Sequence, residues 1–134
     1  GKDLVKEASE KGVKMHKLGH IDDDTYRSVL ASAEMLVLPS EYEAFGIVLL
    51  EAAAAETAVI GTNVGGIPEA MSPDKNGLIV EYNDVTNLAK SISNLLEDEK
   101  MSREMGSAGR IWAQNFSWDS IVKELESVYS SIIG

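Results

Sequence analysis

Glu43 and Glu51 stand eight positions apart in the stretch PSEYEAFGIVLLEAAAAE, Pro39 to Glu56, with the pair Phe45-Gly46 between them. An ionised carboxylate only accepts hydrogen bonds, so it suits the hydroxyls of a sugar or a ribose. Gly46 lets the backbone approach a ligand closely, and Ala44 and Phe45 lead into it. If a helix starts here, the free amides of Gly46, Ile47 and Val48 would donate to a phosphate, helped by the positive end of the helix dipole. Glu51 lies about a turn further along an otherwise apolar segment, where a carboxylate is costly unless it accepts hydrogen bonds; the vicinal hydroxyls of a ribose would satisfy it. Glu43, in the loop before the helix, falls on the opposite side of the phosphates and would take the hydroxyls of a second sugar. Acceptor, donors and acceptor in that order suit a nucleotide-diphosphate sugar. Taken singly, Glu43 reads equally well as a solvated loop residue and Glu51 as an exposed helix residue. Phe45 reads as a core anchor whose backbone, not its ring, faces the ligand.

The bulk composition limits the alternatives. A chain of 134 residues, 44% hydrophobic and 25% charged, has the length and composition of one compact domain with a real core. With 12 Lys and Arg against 22 Asp and Glu the net charge is −10, which repels phosphate backbones and argues against nucleic acid as a partner; any anion must be held locally. Zero cysteines exclude disulfides and thiolate zinc sites, and His16 and His20 alone do not make a metal centre, so no metal and no cofactor is expected. The longest apolar run, Ile47 to Ala55, is interrupted at Glu51 and is too short to span a bilayer. A cytoplasmic protein is expected, with the parent protein free to sit on the cytosolic face of a membrane.

The elements that must position these residues alternate. Leu4, Val5 and Ala8 share a helical face that Gly12 terminates. Val13 to Leu18 alternates as a half-buried strand ending at Gly19. Asp22, Asp23 and Asp24 cap a helix carrying Tyr26, Val29, Leu30 and Ala33. Met35 to Leu38 is a continuous apolar strand, as in a parallel sheet covered on both faces. The glutamate segment follows, then a strand at Ala58 to Gly61, the turn Gly65-Gly66-Ile67-Pro68-Glu69, and a strand at Leu78 to Val80. Three helices close the chain: one from the Asn83-Asp84 cap carrying Leu88, Ile92, Leu95 and Leu96, one over about residues 100–115, and one from Ser117 carrying Trp118, Ile121, Val122, Leu125, Val128, Tyr129 and Ile132. The fold class is α/β: a Rossmann-like parallel sheet of about four strands with flanking helices. Trp112, Trp118 and Tyr129 read as core or as a face that packs on another domain. In such a sheet, ligands lie beyond the carboxyl ends of the strands, which is where Pro39 to Phe45 falls.

The segment PSEYEAFGIVLLEA resembles the E-x7-E signature of the family-four retaining glycosyltransferases, here Glu43 and Glu51. AVIGTNVGGIPE and NGLIVEYND resemble the strand, glycine turn and strand that follow it in that family, and NFSWDSIVKELESVYSSI is similar to its closing helix. The motifs run in order from about Gly12 onward.

The resemblance implies a GT-B enzyme, two facing Rossmann-like domains with the active site in the cleft, of which residues 1–134 are a single, N-terminally truncated C-terminal domain that binds the donor. By the same resemblance Glu51 binds the ribose, Glu43 the donor sugar, and the amides from Ala44 and Phe45 to Val48 the diphosphate and sugar. Gly19, His20 and Asp22 lie near the base. Transfer to an acceptor hydroxyl, with retention and without a metal, is implied as well. The family's Arg and Lys pair on the diphosphate and its N-terminal acceptor domain are not in this sequence, so the chain by itself is expected not to complete transfer. Glu56 stands where the family commonly has Gly, and Ala58 where it has Pro; a Glu there is expected to lose the left-handed helix cap and to oppose the dipole. Two other readings are a half-domain with a structural or assembly role and part of a GT-B sugar-nucleotide epimerase.

Overall fold

Val59 and Ala58, neighbours in one strand, point into different cores, and that alternation organises the molecule. The computed structural model describes residues 3–72 and 75–133. Among them three strands form one parallel sheet in the order β1-β2-β3: β1 Met35–Leu38, β2 Ala58–Thr62 and β3 Gly77–Val80. Met35 to Leu38 pair with Ala58 to Gly61, and Val59 to Thr62 pair with Gly77 to Val80. The central strand β2 is buried throughout, as a parallel strand covered on both faces must be. On one face Val59 meets Leu30, Leu49, Ala52, Ile67 and Met71 from helices α2 (Asp23–Ser32), α3 (Ile47–Ala54) and α4 (Ile67–Ala70) with the residue that follows it. On the other, Ala58, Ile60 and Val80 meet Leu95 of α5 (Val85–Glu97) and Met105 of α6 (Glu99–Ala113). A 3-10 turn, Gln114–Phe116, leads to α7, Trp118–Ile133. No helix of the described residues is long and apolar enough to cross a membrane.

Two expectations are corrected, one about the sheet and one about the last helix. Val13 to Leu18 forms no strand: it pairs with none of the three, and Val13 and Leu18 are 58% and 53% exposed. A period-two pattern gives a strand only where another strand supplies a ladder; here Met15 instead lines a shallow groove with Leu4 and Ala8 of α1, Leu4–Glu10. Among the described residues the sheet therefore has three strands rather than four; its edge strand β1 is half-buried, with Leu36 and Leu38 packed on one core and Met35 and Val37 on the other, as a strand covered on both faces requires. In α7, Trp118 and Tyr129 are 81% and 62% exposed, so they are not core residues of this domain, whereas Trp112 is half-buried.

Helix ends follow their residue types. Asp3, Asp22, Asp84 and Asp98 each accept a backbone N–H at the start of α1, α2, α5 and α6. At the far end of α3 the expectation that Glu56 forfeits the left-handed cap is wrong. Glu56 takes φ +63°, its amide donates to the Ala53 carbonyl and the Thr57 amide to the Ala52 carbonyl, both at 3.0 Å, which is the Schellman arrangement built on a non-glycine residue. The Thr57 hydroxyl donates to the Leu30 carbonyl at 2.6 Å and Arg110 pairs with the Glu56 carboxylate, so the surroundings hold the strained residue in place.

The caps set an acid response. The amide and hydroxyl of Thr25 hold the Asp22 carboxyl below its ordinary value of 3.8, and those of Asn87, amide and side chain, do the same for Asp84. A depressed folded-state pKa stabilises the fold above 3.8 and loses that contribution as pH falls through the lowered value. Below about pH 4 the first turns of α2 and α5 should fray, read from the amide shifts of Thr25 and Asn87. Asp22→Asn with Asp84→Asn should remove that pH dependence while keeping the caps; shifts that still titrate in the double variant would refute it.

Candidate functional site

The loop after β1 is fixed at three places before it delivers its glutamates. The Thr62 hydroxyl, at the end of β2, donates to the Ser40 carbonyl at 2.6 Å. The Gly66 amide donates to the Glu43 carbonyl at 3.2 Å. Phe45 stacks at a tilt on Phe116 with ring centroids 5.7 Å apart, and Phe116 meets the edge of Trp112 at 5.6 Å. Trp112 in turn donates its ring N–H to the Ala70 carbonyl at 3.1 Å, so an aromatic row ties this loop to α4 and α6. Phe45 is thus an anchor, as its apolar ring requires.

Gly46 then turns the chain into α3 with φ +86° and ψ 48°, a left-handed conformation that a side chain at this buried position would strain. No side chain caps α3, and among the described residues the amides of Gly46, Ile47 and Val48 have no acceptor. The first turn of α3 therefore presents unpaired donors at the positive end of the helix. Ala44 and Ile47 are exposed, Val48 half-buried.

The two carboxylates flank this helix start. Glu43 is half-buried, and its Cγ lies 3.6 Å from where a Cβ on Gly46 would stand, on the side of the Gly65-Gly66 turn and α4. Glu51 is on the α2 side, where the Tyr26 hydroxyl donates to its Oε2 at 2.6 Å. Burial, and then that hydrogen bond and the charge of Glu51, push the Tyr26 phenol up to about 12, so it remains a donor across the physiological range. Between α2 and α3 opens a groove of about 400 Å³ lined by Asp23, Tyr26, Arg27, Leu30, Glu51 and Ala54. Gly19 has φ +65° and, like His20, is exposed. Asp22 spends its carboxylate on the cap of α2, accepting the Thr25 amide at 2.9 Å and hydroxyl at 2.8 Å.

Two contributors were not read as site residues from the sequence. Tyr26 reads from sequence only as a helix position and Arg27 carries no signal there; a tyrosine among the apolar residues of α2 carries a hydroxyl that must find a partner when half-buried, and that was the available signal. The Gly65-Gly66 turn falls where the sequence places it, but its purpose shows only in the structure: a Cβ on Gly65 would fall 1.8 Å from the Glu43 carbonyl oxygen, so these glycines are the surface on which the Glu43 loop lies.

The family model described as glycosyl transferases group 1 matches residues 2–112. The chain belongs to that family. Among curated glycosyl transferase relatives, alpha-maltose-1-phosphate synthase of Mycolicibacterium smegmatis is 40% identical over 113 residues, covering 79% of this chain and 29% of the relative. Sucrose-phosphate synthase from Thermosynechococcus elongatus superposes with a TM-score of 0.82 at 33% identity, over 97% of this chain and 33% of that one. The C-terminal domain of a glycosyl transferase group 1 family protein from Francisella tularensis matches with a TM-score of 0.72 at 25% identity, over 84% of this chain and 60% of the domain. The fold is that of a GT-B glycosyltransferase C-terminal domain, and the chain spans about a third of the length of the two synthases.

Proposed function

We propose that this domain binds the nucleotide-diphosphate sugar of a retaining glycosyltransferase, which moves the sugar to an acceptor hydroxyl. The observation that carries the reading is the start of α3: a left-handed Gly46, three amides without acceptors among the described residues, and a carboxylate on each side. The amides would take the diphosphate, Glu51 the ribose hydroxyls and Glu43 the hydroxyls of the transferred sugar, with Gly19 and His20 toward the base. The names of the two synthases, of a maltose phosphate and of a sucrose phosphate, accord with a sugar-transferring parent. The nucleotide sugar is the substrate, and the domain's own contribution uses no metal and no cofactor. The acceptor site and the completed transfer step belong, in this proposal, to an N-terminal domain of the whole enzyme.

On a chain of net charge −10, amides and a dipole hold a dianion weakly, since each such contribution is worth about 0.3–2 kcal/mol. Binding of the free nucleotide should accordingly be weak, and should depend on Glu51. Titration of the 134-residue chain with UDP, GDP and ADP should move the amide resonances of Ala44 to Glu51 for one of the three. Glu51→Ala should weaken that binding by about tenfold or more, the loss of charge-assisted hydrogen bonds. Shifts that leave residues 44–51 unmoved by all three nucleotides would refute the assignment.

A further inference from the structure

Resting on that reading of Glu51, we propose that Tyr26 is a positioning residue: its hydroxyl holds the Glu51 carboxylate in the orientation that meets the two ribose hydroxyls, and so sets how strongly the site distinguishes a ribonucleotide from a nucleotide without the diol. Tyr26 lies on α2 and Glu51 on α3, twenty-five residues apart in the chain, and their side chains meet at 2.6 Å at the wall of the groove between the two helices.

Three features argue that this contact serves the ligand and not only the packing. First, Glu51 is exposed and needs no partner to be tolerated where it stands; water would solvate it. Second, the stoichiometry leaves room for a diol. A carboxylate offers about four acceptor directions, and the phenol occupies one on Oε2, leaving Oε1 and the second direction of Oε2 for vicinal hydroxyls. Third, glutamate is flexible, and a ligand that has to freeze a free side chain loses affinity by doing so. The Tyr26 ring is itself fixed, packed against the core cluster of Leu30, Leu49 and Ala52, so it provides a rigid hydroxyl against which Glu51 is held before a ligand arrives. The same groove wall carries Arg27, next to Tyr26, which would draw an anionic nucleotide toward it.

A role in discrimination separates from a role in stability by the choice of ligand. Whichever of UDP, GDP and ADP binds would be compared with its 2′,3′-dideoxy counterpart, which has the same base and diphosphate but no hydroxyls for Glu51. In the native chain the ribonucleotide should bind about tenfold tighter. Glu51→Ala should bring that preference close to one. Tyr26→Phe, which removes only an oxygen and keeps the ring, should lower it to about threefold, leave the dideoxy affinity unchanged, and keep a dispersed amide spectrum. A preference that stays tenfold in Tyr26→Phe but vanishes in Glu51→Ala overturns the positioning role and leaves the ribose reading standing. Equal weakening of both ligands in Tyr26→Phe also overturns it, because a merely structural tyrosine would act that way. Absence of any preference in the native chain, with Glu51→Ala unaltered, refutes the ribose reading itself and the positioning role with it.

Discussion

Gly66→Ala and Gly65→Ala should both disable the proposed nucleotide site while lowering the stability of the domain by about 2–4 kcal/mol. A Cβ on Gly66 would stand 2.3 Å from the Ala44 carbonyl oxygen and 2.8 Å from the Phe45 Cα; a Cβ on Gly65 would stand 1.8 Å from the Glu43 carbonyl oxygen. All three atoms are backbone, so no change of rotamer relieves the overlap and one of the two segments must move. Gly65 adds a conformational cost, since its φ of +50° is left-handed and costs a non-glycine residue about 1–2 kcal/mol. The displaced segment would be the Glu43 loop, because the Gly65-Gly66 turn is continuous with α4 and the buried Ile67, whereas the loop is held by single contacts. Its movement would break the bond from the Gly66 amide to the Glu43 carbonyl and pull Phe45 from Phe116. Nucleoside diphosphate affinity should fall about tenfold or more in the molecules that remain folded. Gly12→Ala is the control: its φ is +75°, nothing lies within 4 Å of the added carbon, and it is remote from the site, so it should cost about 1 kcal/mol and leave binding alone. Urea unfolding and nucleotide titration of the three variants decide the matter; Gly66→Ala binding as tightly as the native chain would show that the turn does not support the loop.

How much of this was legible in the sequence follows from which interactions are local. The helix caps at Asp22 and Asp84, the left-handed Gly12 and the alternation of strands with helices depend on residues within a few positions of one another, and all were readable. The placement of Glu43 before a helix and Glu51 within it is also local, and the family resemblance rests on that spacing. What was misread depends on partners far along the chain. Val13 to Leu18 carries a strand pattern, but a strand is made by its neighbour, and no periodicity reveals that neighbour's absence among the described residues. Glu56 looked like a lost cap because propensity favours glycine there; Thr57 bonded to Leu30, and Arg110 bonded to Glu56, override the preference. Tyr26 bonds across twenty-five residues, and Gly65 and Gly66 serve a loop more than twenty residues earlier. The two glutamates and the helix start of the proposed site were therefore visible, and the contacts that hold them in position were not.

Gly106→Ala should destabilise the domain by about 2–4 kcal/mol and yet leave the proposed nucleotide site as it was. In the middle of a helix a glycine costs about 0.5–1 kcal/mol relative to alanine, so two of them, Gly106 and Gly109, on one face of α6 require a compensating contact. That contact is the close approach of α6 to α3: a Cβ on Gly106 would lie 2.0 Å from the Glu56 carbonyl oxygen and 2.8 Å from its carbon, and one on Gly109 would lie 3.2 Å from the Ala53 Cβ. Glu56 cannot withdraw, because its left-handed conformation closes α3 through the amides of Glu56 and Thr57, and the next strand, β2, begins at Ala58. The helix-propensity gain of an alanine is thus smaller than the cost of the overlap at position 106. At 109 the neighbours are the Cβ and Cα of Ala53, at 3.2 and 3.3 Å, distances that a shift of α6 by a few tenths of an ångström relieves, and Gly109→Ala should come within about 1 kcal/mol of the native domain, the two effects nearly cancelling. Glu56 and Gly106 lie at the end of α3 opposite to Gly46, so the amides of Ala44 to Glu51 should respond to a nucleotide in Gly106→Ala as they do in the native chain. Equilibrium unfolding in urea gives the stabilities, and a Gly106→Ala variant as stable as Gly109→Ala would mean that α6 does not rest on the backbone of Glu56.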